Sequence, residues 1–169
     1  MIKQQLGRYG CMLFLVIVFF ACNGSGNKGK TIATTANITR IIDLDKRLSG
    51  ADSLVIVFYK DPYGADSTRY TRYYTQYNSA DSNNIKLLLT NLDEPFEKLE
   101  KTKKCRSEGK VWCYSKGKIF QTVYFSTRCN DCCFLYVIKD GFFYYVKVNG
   151  SVKAMLAVIK PISKEQLSN

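Results

Sequence analysis

Cysteine carries most of the chemical options in this chain, because histidine is missing: the 169 residues include seven cysteines and no histidine. Without imidazole, Ser-His and Cys-His catalytic pairs and histidine-ligated zinc are excluded together. Five cysteines, Cys105, Cys113, Cys129, Cys132 and Cys133, fall within residues 105–148, beside the only tryptophan, Trp112. Three chemistries compete for them. Zinc is disfavoured because seven residues separate Cys105 from Cys113, against about two to four in a metal-binding knuckle. Thiol–disulfide exchange at Cys129-Asn-Asp-Cys132 needs a stabilised thiolate, normally at a helix N-terminus just after the first cysteine. The residues that follow are Phe134-Leu-Tyr-Val-Ile138, a strand sequence. Structural disulfides remain as the main reading, with all five thiols as candidates and Cys105 to Cys132 or Cys133 favoured. On the chain-entropy argument a bridge from 105 to 113 contributes about 2.5 kcal/mol and one from 105 to 132 or 133 about 3.5 kcal/mol. That difference is smaller than ordinary strain, so geometry decides. Cys132 and Cys133 point to opposite faces of a strand, and a single partner must choose between them.

The elements that position these thiols form an α+β domain over residues 37–162. Ile38, Ile41, Ile42, Asp45 and Leu48 give a helical period over 38–48, ended by Ser49-Gly50. Residues 53–59, Ser-Leu-Val-Ile-Val-Phe-Tyr, read as a buried strand, and 68–77 as a second strand pairing back on it after the Asp61-Pro62-Tyr63-Gly64 turn. Asp81-Ser82 caps a helix marked by Ile85, Leu88, Leu89 and Leu92. Four strands then form an antiparallel meander, and Ser151 caps a final helix through Ile159, stopped by Pro161. The fold class is therefore an antiparallel sheet, an N-terminal hairpin plus the meander, with helices mainly on one face.

Asp140-Gly141 between apolar runs specifies a two-residue hairpin turn and hence a register: Ile138 opposite Phe143, Tyr136 opposite Tyr145, Leu135 opposite Val146. One face then carries Leu135, Val137, Tyr144 and Val146, an apolar core set. The other carries Phe134, Tyr136, Phe143 and Tyr145. That aromatic face is expected either to be covered by a helix or by the N-terminal hairpin, or to be an exposed binding platform. A second aromatic and basic cluster, Tyr70, Tyr73, Arg69 and Arg72 with Tyr63, Tyr74 and Tyr77, could stack on sugar rings or grip phosphates.

The N-terminus reads as an address. Lys3 and Arg8 precede an apolar run over residues 11–20, and Phe19-Phe20-Ala21-Cys22 is followed by Asn23-Gly24-Ser25-Gly26. A run of that length suits a signal peptide and is short for a membrane span. The segment resembles the lipobox of bacterial lipoproteins, departing from it at Phe19 and Phe20. The resemblance implies cleavage before Cys22, acylation of Cys22 by diacylglycerol and commonly a palmitate, and anchorage to the envelope. Asn23, rather than aspartate, leans towards the periplasmic side of the outer membrane. Residues 1–21 would then be signal, 22–36 a flexible tether and 163–169 a tail. Gly24-x-Gly26-x-x-Gly29 in the tether lacks the strand and helix that make such a motif a nucleotide cradle.

Loss of residues 1–21 leaves 23 basic residues against 14 acidic, a net charge of +9. In an exported protein that charge points to anionic lipid, anionic glycan or an acidic protein, and away from nucleic acid. No catalytic residue, metal or cofactor is implied. The sequence thus reads as a non-catalytic, lipid-anchored envelope protein. An inhibitor or immunity-type lipoprotein acting on a secreted enzyme and a thiol–disulfide oxidoreductase are the alternatives.

Overall fold

The computed structural model describes residues 39–65, 71–128 and 132–165. The sheet and its helices belong to one compact unit within Asn37–Asn169. The expected signal peptide, Cys22 and the tether lie outside the described residues, as do Arg69, Tyr70 and Cys129.

The fold is α+β, mostly antiparallel sheet. Its strands are β1 (Ser53–Tyr59), β2 (Tyr74–Ser79), β3 (Glu97–Leu99), β4 (Gly109–Ser115), β5 (Lys118–Arg128), β6 (Cys132–Lys139), β7 (Phe142–Lys147) and β8 (Lys164–Glu165). They lie in the order β3-β7-β6-β5-β4-β1-β2-β8, with every neighbouring pair antiparallel. β1 is an interior strand, which explains its unbroken apolar sequence: Ile56 and Val57, on opposite faces, are both fully buried. Gly109 lies at a close approach, since a Cβ there would strike the Val57 carbonyl and the Phe125 ring.

Two tight turns set the register of the long strands. Lys116 and Gly117 have φ of 51° and 73°, Asp140 and Gly141 51° and 78°, the backbone of two-residue hairpin loops. Lysine is a poor occupant of this left-handed region, where asparagine is favoured. Lys116→Asn should therefore raise stability by roughly 0.5 kcal/mol, measured as an increase in the urea midpoint with unchanged slope.

The helices depart from expectation at their ends. The 38–48 period forms two short pieces, α1 (Ile41–Leu44) and a 3-10 turn over Lys46–Gly50. Asp45 divides them: it adopts an extended backbone, and its carboxylate accepts from the Arg47 N–H and the Arg47 guanidinium. α2 (Ser82–Leu92) starts at Asp81, whose side chain accepts from the Asn83 N–H. α3 (Gly150–Ile159) is capped by Asn149 accepting from the Val152 N–H, not by Ser151. Pro161 sits in a 3-10 turn over Lys160–Ile162, and Lys164 and Glu165, expected as tail, form β8 on β2. β2 begins at Tyr74, later than the expected 68, and β3 was not anticipated.

Core-facing residues of the sheet, among them Leu54, Ile56, Val111, Val123, Phe125, Leu135, Val137 and Val146, join Ile41, Leu88, Leu92, Val152 and Leu156 in a single cluster. All of those sheet positions lie on one face, so the helices cover that face. Burial of a Leu, Ile or Phe side chain contributes about 1.5–3 kcal/mol, and this shared layer is the fold's main stabilising contact. The opposite, or far, face holds the candidate site.

Candidate functional site

The strand registers align the far-face residues in rows. Lys110 lies opposite Tyr124, Tyr124 opposite Tyr136, Tyr136 opposite Tyr145, and Tyr145 opposite Glu97. The next row towards the turns runs Val55, Trp112, Thr122, and, on β6 and β7, Ile138 and Phe143. Rings therefore abut across three strands, β5, β6 and β7. Tyr124 and Tyr136 stack at 4.9 Å with planes 14° apart, Tyr136 and Tyr145 lie at 4.9 Å, and Phe134 meets Tyr145 edge-on at 5.1 Å. Such pairs contribute roughly 0.5–1.5 kcal/mol each beyond their buried area.

A bulge places Tyr124 in this row. The Lys116-Gly117 turn pairs Tyr114 with Ile119, but Cys113 pairs with Gln121, leaving Phe120 as the extra residue. From there on, Val123 and Phe125 face the core and Tyr124 faces away.

Part of the far face is covered, though not by a helix or the β1–β2 pair. The connection between β3 and β4, residues 100–108, crosses one end of it as a strap. The Ser107 hydroxyl bonds the Tyr136 phenol at 2.8 Å, and the Tyr145 oxygen accepts from the Lys103 N–H at 3.1 Å and pairs with the Thr102 hydroxyl. Cys105 is disulfide-bonded to Cys132 with Cα atoms 5.7 Å apart. Cys132 alternates with Phe134 and Tyr136 on the far face, where the strap runs, whereas Cys133 packs towards the core. That orientation selects Cys132 as the partner. Arg106 extends the hold by donating to the carbonyls of Pro62 and Gly64.

The remaining thiols have distinct states. Cys133 is disulfide-bonded as well. Cys113 is free and fully buried in the core, and burial, with a smaller contribution from the Asp45 carboxylate, pushes its thiol up to about 12. A thiol protonated at every physiological pH is a poor nucleophile. In the native protein Cys113 should resist iodoacetamide at pH 8 for hours and react within minutes after unfolding, as mass spectrometry will show. With Cys132 bonded to Cys105 and a strand beginning at Cys132, Cys132 offers no free thiol to the Cys129-x-x-Cys132 spacing.

The second aromatic cluster is not one surface. Tyr73 is 63% exposed with the Arg72 guanidinium over its ring. Tyr74 pairs with Tyr59 on the far face, whereas Tyr77 pairs with Ile56 and packs on the core. Tyr63 instead carries the Arg128 guanidinium 3.8 Å from its ring centroid, and burial raises its phenol pKa.

Among the described residues, the turn-side portion of the far face is left open: a groove of about 380 Å³ is lined by Ile119, Phe120, Gln121, Thr122, Tyr124 and Ile138, with half-exposed Trp112 and Phe143 nearby on β4 and β7. Ile119 and Ile138 are 49% and 45% exposed. Lys110 sits 4.4 Å over the Trp112 ring, and its partial burial draws its ammonium pKa down. Sequence reasoning missed Trp112, Tyr124, Ile119 and Lys110. The alternation Lys110-x-Trp112-x-Tyr114 was a usable signal on β4, but the bulge hid the matching phase on β5. No protein family, no curated protein and no solved structure matches this chain.

Proposed function

We propose that this chain is a non-catalytic, lipid-anchored protein of the bacterial envelope that binds an anionic partner through the uncovered part of its far face. Lipidation at Cys22 and a periplasm-facing place on the outer membrane are the readings that the sequence Phe19-Phe20-Ala21-Cys22-Asn23 favours. In this reading β4 to β7 act as the meander that presents the surface, and the helices stiffen it from behind. The supporting observation is the ring series Tyr124, Tyr136 and Phe143 across β5, β6 and β7, with Trp112 on the neighbouring strand and Lys110 over its ring. Flat rings take sugar or planar faces at little entropic cost, and the ammonium supplies a charge for an anionic group.

Trp112 is the only tryptophan, so its emission reports this surface directly. Titration of the mature protein with polygalacturonate should shift that emission, whereas neutral dextran should not. Tyr124→Ala and Lys110→Gln should each weaken the response about tenfold, the effect of losing one well-placed contact. Equal responses to the charged and neutral polymers would overturn the anionic reading. Labelling with palmitate, lost in Cys22→Ala, tests the anchor separately.

A further inference from the structure

At the opposite end of the sheet, beside Lys103 of the strap, lies a second concavity of about 510 Å³ lined by Phe96, Glu97, Lys103, Phe134, Tyr145 and Lys147, among others. Its size falls in the range of small-molecule sites. Its construction differs from that of the turn-side groove. Half-buried Phe96 presents ring surface, and Phe134 and Tyr145, only 8% and 4% exposed and packed edge to face, add a small part of it. Lys103 stands over both, its ammonium 5.1 and 5.2 Å from the two ring centroids, and forms an ion pair with Glu97. The Lys103 backbone N–H is fixed to the Tyr145 phenol, so the strap holds the base of this side chain while Glu97, on β3, holds its tip. Lys147 lies opposite Phe134 across the β6–β7 ladder and adds a second ammonium to the lining.

Two ammonium groups with one carboxylate leave the cleft net positive, and its ring walls favour a planar or apolar body. We infer that this cleft binds a small organic anion, a phosphate or carboxylate attached to a flat ring, with Lys103 as its principal counter-ion. The Glu97 carboxylate holds that position in the unliganded protein. It orients Lys103 and competes with the ligand's acid for the same ammonium. Lys103 is the strap's contribution to the lining, and the bond of its backbone N–H to the Tyr145 phenol keeps it there. The inference needs neither lipidation nor the turn-side surface.

The test uses the mature chain in non-ionic detergent, titrated with 1-naphthyl phosphate and followed by ligand-observed NMR. A probe with about 15 heavy atoms should bind in the range of roughly 0.1–1 mM. Inorganic phosphate, which lacks the ring, and 2-naphthylmethanol, which lacks the charge, should each bind at least tenfold more weakly. Lys103→Gln should weaken naphthyl phosphate binding about tenfold, and Lys147→Gln about threefold, as for contacts at the centre and rim of a site. Glu97→Gln should tighten binding about three- to tenfold by removing the competing carboxylate, an effect that loss of structure cannot imitate. Weaker binding in Glu97→Gln with an unchanged melting temperature would overturn the inference. So would binding of the uncharged probe as tight as that of the phosphate, or unchanged affinity in Lys103→Gln. Because the readout is independent of Trp112 emission, failure here leaves the turn-side proposal standing, and the converse also holds.

Discussion

Replacing Cys105 and Cys132 together by alanine will lower the melting temperature by roughly 10–15 °C, from the loss of about 3.5 kcal/mol of loop-closure stabilisation. The bridge spans 27 residues of sequence, long enough for the unfolded-state constraint to be substantial. Removing both cysteines also leaves neither Cys105 nor Cys132 unpaired to exchange with the neighbouring Cys133. The structural consequence is as specific as the thermal one. Amide exchange should accelerate at residues 102–107 while β5, β6 and β7 stay protected, because those strands are secured by their ladders and by the helix-side core. The strap would then depend on Ser107–Tyr136, the Tyr145 contacts and Arg106, each net contribution being about 1 kcal/mol. A change in melting temperature under about 3 °C, with exchange at 102–107 unaltered, would mean these polar contacts suffice and the disulfide is redundant.

The strap also marks where sequence reasoning stops. Hydrophobic period and turn chemistry act between residues close in sequence, and they located α2 through Asp81, Ile85 and Leu88 and the β6–β7 register through Asp140-Gly141. The assignment of Phe134, Tyr136, Phe143 and Tyr145 to one face follows from that register alone. What lies over the face does not. Residues 100–108 carry no period, and their path is set by a disulfide and by phenol contacts about 30–40 residues distant, outside the reach of any local pattern. The β4–β5 turn signals a correct local pairing, Tyr114 with Ile119, yet the bulge at Phe120 reverses the phase of everything beyond it. Edge strands of three and two residues, β3 and β8, are too short to alternate visibly. At the start of α3 two competent caps, Asn149 and Ser151, stand two residues apart, and packing rather than propensity chooses Asn149. The thiols were legible as disulfide formers. Their division among Cys105–Cys132, a bonded Cys133 and a core Cys113 was fixed by which face each residue occupies.

Asn91 carries the second large expected effect, and it had no sequence signal beyond lying on α2. It is fully buried, yet its side chain has a partner at each end: its NH2 donates to the Lys147 carbonyl at 2.8 Å, and its oxygen accepts from the Asn149 N–H at 2.9 Å. One side chain thus joins the end of α2 to the end of β7 and to the cap residue of α3. Substitution removes partners from two interior backbone groups, each costing about 1–3 kcal/mol when left unpaired. Asn91→Leu, which nearly keeps the volume, should therefore lose about 3 kcal/mol, summed over those two groups. That equals roughly 10 °C in melting temperature. A loss below about 1 kcal/mol would show that the freed groups find other partners and that the side chain is there for packing. Asn91→Asp separates the two bonds. The introduced carboxylate keeps the acceptor for Asn149 but, when ionised, turns a second oxygen towards the Lys147 carbonyl, so its folded-state pKa must rise above the unfolded value of about 3.9. An acid with a raised folded pKa destabilises most when both states are ionised, and the penalty falls as pH drops through the folded pKa. The Asn91→Asp variant should accordingly gain stability relative to wild type between neutral pH and about pH 4. Asn91→Leu should show no such dependence, and parallel urea titrations at the two pH values decide between them.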